Sequence, residues 1–261
     1  CHATELWIHT RCEGNMSADI TGIILYKSGI EQLAKALQSL QWCTQRIILV
    51  DGNILDTKVQ TLAKMNFSNV FFHSLDTFGE QRNIALTHVK TDWAIFLDVD
   101  ETVSPQLAIE IQNAISKTDY VGLYLYRQDT FMNTVLKHGE TSRVSLLRVA
   151  KTKAGTWERP VHEVWTVSGK TKTLQNPLLH VPHQSIESFI EKINRYSSLE
   201  VTLRKKLGKR FSFFQLFFYP LGKFVYNYVL LLGVLDGFPG LAQAWMMSFH
   251  SLVLRGKMYE Y

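Results

Sequence analysis

The order of elements in this 261-residue chain predicts an α/β fold, a mostly parallel sheet with a mixed edge, followed by a C-terminal helical extension. Three observations carry that prediction. Over the first hundred or so residues, short apolar runs alternate with stretches of helical spacing, the signature of right-handed βαβ units. From Tyr120 to Arg148 the period changes to that of strands paired side by side. From Arg204 onward, basic residues and then aromatic and aliphatic ones take over.

Taken in order, residues 20–26 (ITGIILY) read as the first strand. Residues 30–40 read as a helix with Leu33, Ala36, Leu37 and Leu40 on one face. A second strand at 46–50 ends in Asp51, a short helix covers 57–65, and a third strand covers 70–73. A helix over 78–89, entered through Gly79, leads to the strand at 93–97. An amphipathic helix follows at 107–115, then candidate paired strands in YVGLYLYR and SRVSLLRV, and a polar helix over 186–203 begun by Ser185. The domain reading is an N-terminal extension at 1–15 without assigned function, a catalytic unit at 16–185 and a basic, amphipathic helical region at 186–261.

Residues 93–105, WAIFLDVDETVSP, organise the rest. The apolar run suits a strand buried on both faces of a parallel sheet. It delivers Asp98, Asp100 and Glu101 to the carboxyl end, where open α/β sheets bind ligands. Carboxylates this close repel one another, and a hard divalent cation, Mg2+ or Mn2+, relieves the repulsion. The competing reading is a solvated turn in which Asp100 or Ser104 caps the next helix. Asp51 ends its strand on the same edge, so two acidic positions flank one crevice, the arrangement of a nucleotide site.

A composition of 46% hydrophobic and 20% charged residues excludes wholesale disorder and allows one sizeable core plus an appendage. The net charge of +5 fits nucleic acid, an anionic membrane or a phosphorylated substrate. The placement of the charge favours the membrane, because the basic run 204–210 (RKKLGKR) is followed directly by FSFFQLFFY. The uncharged stretches beyond it, broken by Lys223 and Asp236, fall short of the roughly 20 residues a spanning helix needs. Cations beside apolar helices make an in-plane anchor on anionic headgroups, the alternative being a helical subdomain packed on the core. The aromatics are too contiguous for a base-stacking groove, so no nucleic-acid partner is expected. Three cysteines (Cys1, Cys12, Cys43) without a CxxC pair give neither a disulfide framework nor a zinc site, and imply a reducing compartment.

The ordered set of motifs resembles the family 2 glycosyltransferases of GT-A fold, most nearly the bacterial enzymes that build lipopolysaccharide core and similar glycolipids. The resemblance rests on Val50-Asp51 with Asp56, Gly79-Glu-Gln-Arg-Asn83, Asp98-Val-Asp100-Glu101, Val161-His-Glu163 and His180, with Asn194-Arg-Tyr196, Pro220 and residues 233–240 in the tail. It implies a nucleotide-sugar donor, UDP-linked, and a lipid-linked or cell-envelope glycan acceptor, with transfer at the inner, cytoplasmic face of a membrane. Asp51 would contact the base or ribose, and Arg82 and Asn83 would lie near nucleotide and sugar. Asp98 and Asp100 would form the DxD pair that holds Mg2+ or Mn2+, Asp100 the more directly. Glu163 would be the general base, with Glu158 in reserve, and transfer would invert the anomeric centre, a stereochemistry that the resemblance implies and the sequence itself does not carry. His162 would be a metal or diphosphate ligand or else a packed residue, and Trp157 would stack on a sugar or fill the core. Two departures stand out. Lys27-Ser-Gly29 replaces an Asn-Glu-Glu-like turn, removing a carboxylate from the donor site, and Gly52-Asn-Ile-Leu55 replaces a Ser/Gly-rich turn.

Two other functions fit parts of the pattern. Phe96-Leu-Asp-Val-Asp-Glu-Thr102 matches the nucleophile motif of a haloacid-dehalogenase-like phosphatase, with Asp98 as nucleophile and Asp100 as acid/base, although three strands precede it here. A membrane-bound nucleotide-sugar-binding protein with a degenerate site is the non-enzymatic alternative.

Overall fold

The computed structural model describes residues 19–52, 56–74, 77–117, 119–158, 163–182 and 185–260. Its N-terminal half is built as the alternation predicts: β1 (Ile20–Tyr26), α1 (Ile30–Ser39), β2 (Gln45–Asp51), α2 (Thr57–Met65), β3 (Asn69–His73), α3 (Phe78–Thr87) and β4 (Trp93–Asp98). The strands β3, β2, β1 and β4 lie side by side in that order, all parallel. Strand order thus reverses at β1, which places a crevice at the carboxyl ends of β2, β1 and β4. Side-chain caps start α2 and α3: Asp56 accepts from the Lys58 amide and Thr77 from the Glu80 amide. Gly22 lets α1 sit close on β1, since a Cβ there would come within 2.8 Å of Leu40 Cδ1.

Beyond β4 the chain makes a short strand β5 (Glu101–Val103) before α4 (Pro105–Ile115). The sequence reading starts that helix at Leu107 and gives no strand before it. Ser104 caps α4 through the Leu107 amide and Pro105 occupies its first turn, which moves the start forward. The mixed edge comes next, with β6 (Gly122–Phe131), β7 (Thr134–Val135), β8 (Val144–Lys151), β9 (Gly155–Glu158), β10 (Val164–Val167), β11 (Thr171–Thr173) and β12 (Leu178–His180). β8 is antiparallel to both β4 and β6, and β12 lies between β6 and β5. β9 and β10 form a separate hairpin. One core cluster lies on the α1, α2 and α4 face of the sheet. A second, around Phe96, Trp157 and Trp165, lies on the other.

The C-terminal region is helical, as expected, but with different boundaries. α5 (Ile186–Lys206) has a capping box of Ser185 and Ser188. α6 (Phe213–Val225) runs through Pro220 and passes into a π turn at Tyr226–Leu230. After a 3-10 turn at Gly233–Asp236, α7 (Gly237–Glu260) continues for 24 residues. Gly233, Gly237, Pro239 and Gly240 mark the corner between α6 and α7. A Cβ on Gly240 would run into the carbonyl oxygen of Gly233, so the corner closes backbone against backbone.

Candidate active site

Strand β4 ends in Asp98 because its apolar run 93–97 is buried and the next residue leaves the sheet at the crevice. Both oxygens of Asp98 are held by arginines. Arg82 Nη2 donates to Oδ1 at 2.7 Å, and Arg148 Nη2 to Oδ2 at 2.5 Å. Arg148, from β8, also reaches Glu101 Oε1 at 2.6 Å, and Glu101 Oε2 accepts from the Asp98 amide at 3.0 Å. Arg82, from α3, continues the chain to Glu163 Oε1 at 2.6 Å and lies over the Trp157 ring at 4.4 Å. The result is a line of alternating charge: Glu163, Arg82, Asp98, Arg148, Glu101. Burial opposes the charge on Asp98, but Arg148 and Arg82 hold its carboxyl far below the usual carboxylate range. Glu101, fully buried, is pushed upward by that burial, with Arg148 opposing and the Asp98 charge reinforcing the rise.

Asp100 has different company. Its Oδ2 lies 3.5 Å from His180 Nε2 and 3.7 Å from Lys192 Nζ. His180 ends β12, in register with Asp129 on β6, and its Nδ1 lies 2.7 Å from Asp129 Oδ1. Burial disfavours the imidazolium, yet hydrogen bonds with Asp100 and Asp129 raise the His180 pKa to about 9. Burial likewise opposes ionisation of Asp100, and His180 more than offsets it, leaving its pKa below the ordinary value.

This geometry sorts the residues that the sequence singles out. Asp98, Arg82 and Glu163 converge, and Asp100 with His180 stands beside them. Asp51 lies at the end of β2, where Lys27 Nζ approaches its Oδ2 at 2.9 Å. The unexpected lysine after β1 therefore brings a cation to the place where the resemblance leads one to expect a carboxylate. Three readings need correction. Asn83 is spent on the backbone: its Nδ2 donates to Trp157 O at 2.9 Å, and its Oδ1 accepts from Trp157 N at 2.8 Å. Trp157 is 6% exposed, stacked on Trp165 with centroids 5.3 Å apart and edge-on to Phe96, so it fills the core instead of facing a sugar. Asp98, with both oxygens on arginines, is an anchor and not a convenient metal ligand, and is equally unsuited to act as a phosphatase nucleophile. Glu158 is exposed on β9. His162 lies outside the described residues.

Arg148, Asp129 and Lys192 complete the site, and sequence reasoning missed them. Arg148 carried a visible signal, a lone cation inside the strand run LLRV, where a buried arginine needs carboxylates. Asp129 and Lys192 carried none, since only the pairing of β6 with β12 and the docking of α5 bring them in.

A divalent ion fits Asp100 and His180. Their ligating atoms, 3.5 Å apart, suit neighbouring positions on one cation, and the Asp129 carboxylate orients the imidazole from behind, as carboxylates do at metal-bound histidines. Among the described residues no three His, Cys, Asp or Glu side chains converge as ligands. Mg2+-type sites commonly need only one or two protein ligands, with phosphate oxygens and water supplying the others.

The sequence profile described as Glycosyl transferase family 2 matches residues 23–176. An uncharacterized glycosyltransferase of Rickettsia typhi is 24% identical over 92% of this chain and 87% of its own length. The lipopolysaccharide core biosynthesis glycosyltransferase LpsC of Rhizobium meliloti is 23% identical over 87% of each chain. Among solved structures, TarS of S. aureus is similar at a TM-score of 0.47 and 12% identity, over 70% of this chain and 39% of that one. Glucosyl-3-phosphoglycerate synthase of Mycobacterium tuberculosis, in complex with Mn2+, UDP and phosphoglyceric acid, is similar at a TM-score of 0.48 and 11% identity, over 75% of this chain and 80% of that one.

Proposed function

The chain belongs to glycosyl transferase family 2 and is a glycosyltransferase, and from that premise we propose that it moves a sugar, with inversion, from a UDP-sugar to a lipid-linked cell-envelope glycan at the cytoplasmic face of a membrane. The observation that carries the site assignment is the pairing of Asp100 with His180 beside the arginine-held Asp98 at the sheet's switch point. Asp100 and His180 would hold Mg2+ or Mn2+. When bound, that ion supplies neutralisation of the charge that develops on the leaving diphosphate.

The chain's own groups do the rest. Asp51 and Lys27, at the carboxyl ends of β2 and β1, face the nucleotide side of the crevice. Glu163 accepts the proton of the attacking hydroxyl as the acceptor oxygen bonds to the anomeric carbon and the sugar–phosphate bond breaks. Arg82 fixes Glu163 through Oε1, so the proton is received at Oε2. The acceptor reading draws on the likeness to LpsC and on the exposed apolar C-terminal helices.

The test is turnover. The protein is incubated with UDP-, GDP- and ADP-sugars and a lipid extract carrying glycan cores, with Mn2+ or with EDTA. Release of one nucleoside diphosphate, dependent on lipid and metal, with an inverted anomeric centre by NMR, is the expected result. Release of inorganic phosphate instead, or no consumption of any donor by folded protein, would sink the proposal.

A further inference from the structure

The C-terminal helices carry an observation that sugar transfer does not explain. From Phe211 to Leu254 the only Lys, Arg, Asp or Glu residues are Lys223 and Asp236, and both are paired with the catalytic unit. Lys223 Nζ donates to Glu140 Oε2 at 2.5 Å. Asp236 accepts from the amides of Lys137 and His138 and lies 2.8 Å from His138 Nδ1. Asn227 adds a bond, its Oδ1 accepting from the Glu140 amide. The polar groups of this region thus clamp it to the segment 136–140 behind β7, and its other face is apolar.

That other face is continuous. On α6, Phe214, Phe217, Phe218, Leu221 and Val225 are exposed, and Phe214 stacks on Phe218 at 4.1 Å. On α7, Phe238, Trp245, Phe249, Leu252 and Tyr259 recur at helical spacing and are exposed as well. Phe224 and Trp245, with centroids 4.9 Å apart, join the two stripes. At the corner, Leu230, Leu232, Val234 and Leu235 are exposed too. Lone exposed apolar residues are ordinary, but a patch of this extent marks an interaction surface. Beside it lie the exposed cations Lys206, Lys209 and Arg210, just before α6 begins.

No single described helix is long and apolar enough to cross a bilayer. Phe213–Leu230 and Gly233–Glu260 meet the length and composition of a span only together, and they are bent by 70° at the break. We propose that α6 and α7 form a rigid monotopic wedge that lies in one leaflet of an anionic bilayer, its corner at residues 229–238 and the stripe through Trp245 entering the acyl region while residues 206–210 meet headgroup phosphates. Charge complementarity selects lipid over a second copy of the chain, because the basic rim calls for an anionic partner and the wedge edge is itself basic. The clamp at Asp236 and Lys223 makes the wedge and the catalytic crevice one body, so bilayer insertion fixes the height of the crevice above the headgroups. This inference rests on the membrane-held acceptor proposed above and specifies the surface that meets it.

The experiment uses the full chain with vesicles of phosphatidylcholine alone or with phosphatidylglycerol, some carrying acyl-chain bromines. Wild type should sediment with the anionic vesicles, and bromines should quench a fluorescence component that is missing in Trp245→Phe. Phe217→Ser/Leu230→Ser/Phe238→Ser should lose vesicle affinity by about tenfold or more, and the charge variant Lys206→Gln/Lys209→Gln/Arg210→Gln should lose it on anionic vesicles only. Donor consumption in detergent, measured on the same variants, should be unchanged; its absence in wild type would count against the transferase mechanism and leave the wedge standing. Wild type remaining in the supernatant, vesicle binding without quenching at Trp245, or a dimer by light scattering that the apolar variant dissociates would each overturn the wedge.

Discussion

Asp98 and Asp100 stand two residues apart in one motif, yet the fold gives them opposite surroundings. Asp98 is gripped at both oxygens by Arg82 and Arg148, with the buried Glu101 behind it. Asp100 faces a histidine whose far nitrogen rests on a second aspartate. The first arrangement satisfies its charges internally and has the character of a structural strut. The second places two ligating atoms within reach of a third party. Residues two apart on a strand share a face, so it is the turn between β4 and β5 that carries two chemically identical side chains into these different surroundings.

The largest effect should come from breaking the strut. Arg148→Met leaves Glu101 and Asp98 without their shared cation, and removing one partner of a buried ion pair costs about 3–5 kcal/mol. Denaturant unfolding checks this; a loss under about 1 kcal/mol would show that the alternating line carries little stability. On the other side, Asp100→Asn should cost about 100-fold or more in transfer, since several kcal/mol of charge stabilisation are lost, while the melting curve stays near wild type. Transfer within tenfold of wild type would remove Asp100 from the site. Asp129→Asn acts on His180 from behind, and on Arg127, whose Nε lies 3.5 Å from the same oxygen, and should weaken metal affinity by about 10–100-fold, with the metal-saturated rate recovering.

The smallest effect is pH-dependent. His180 has its folded pKa raised to about 9 from an ordinary 6.5, so its contribution to stability is fully present below about 6.5 and is lost as pH rises through about 9. Metal binding needs the neutral imidazole, so metal affinity should rise over the same window in which stability falls. His180→Gln should flatten both profiles, and thermal melts and metal titrations from pH 6 to 9.5 would reveal an unaltered slope if His180 were uninvolved.

Much of this was legible in the sequence, for physical reasons that can be named. The parallel half was readable because 20–26, 46–50 and 93–97 are buried strands with near-continuous apolar runs. The resemblance singled out Asp98, Arg82 and Glu163 one motif at a time, with separate roles, and the bonds that join them became visible only in the fold. What stayed hidden depends on contacts distant in sequence. His180 became a partner of Asp100 only once β12 paired with both β5 and β6. Asn83 and Trp157 look like donor-site residues in one dimension, but the hairpin β9–β10 folds under α3 and joins them to each other. The region 186–261 was legible as helical, but the bounds of α7 were not, because Gly237, Pro239 and Gly240 stand inside its first turn, where they build a corner and a helix start.

The central claim is that Asp100 and His180, rather than Asp98, support metal-dependent donor binding. Calorimetric titration of a UDP-sugar panel with and without Mn2+, into wild type, Asp100→Asn, His180→Gln and Asp98→Asn, tests it most directly. Wild type should bind one donor in a Mn2+-dependent way, Asp100→Asn and His180→Gln should lose that dependence, and folded Asp98→Asn should keep it. Mn2+-dependent binding that survives both Asp100→Asn and His180→Gln would contradict it.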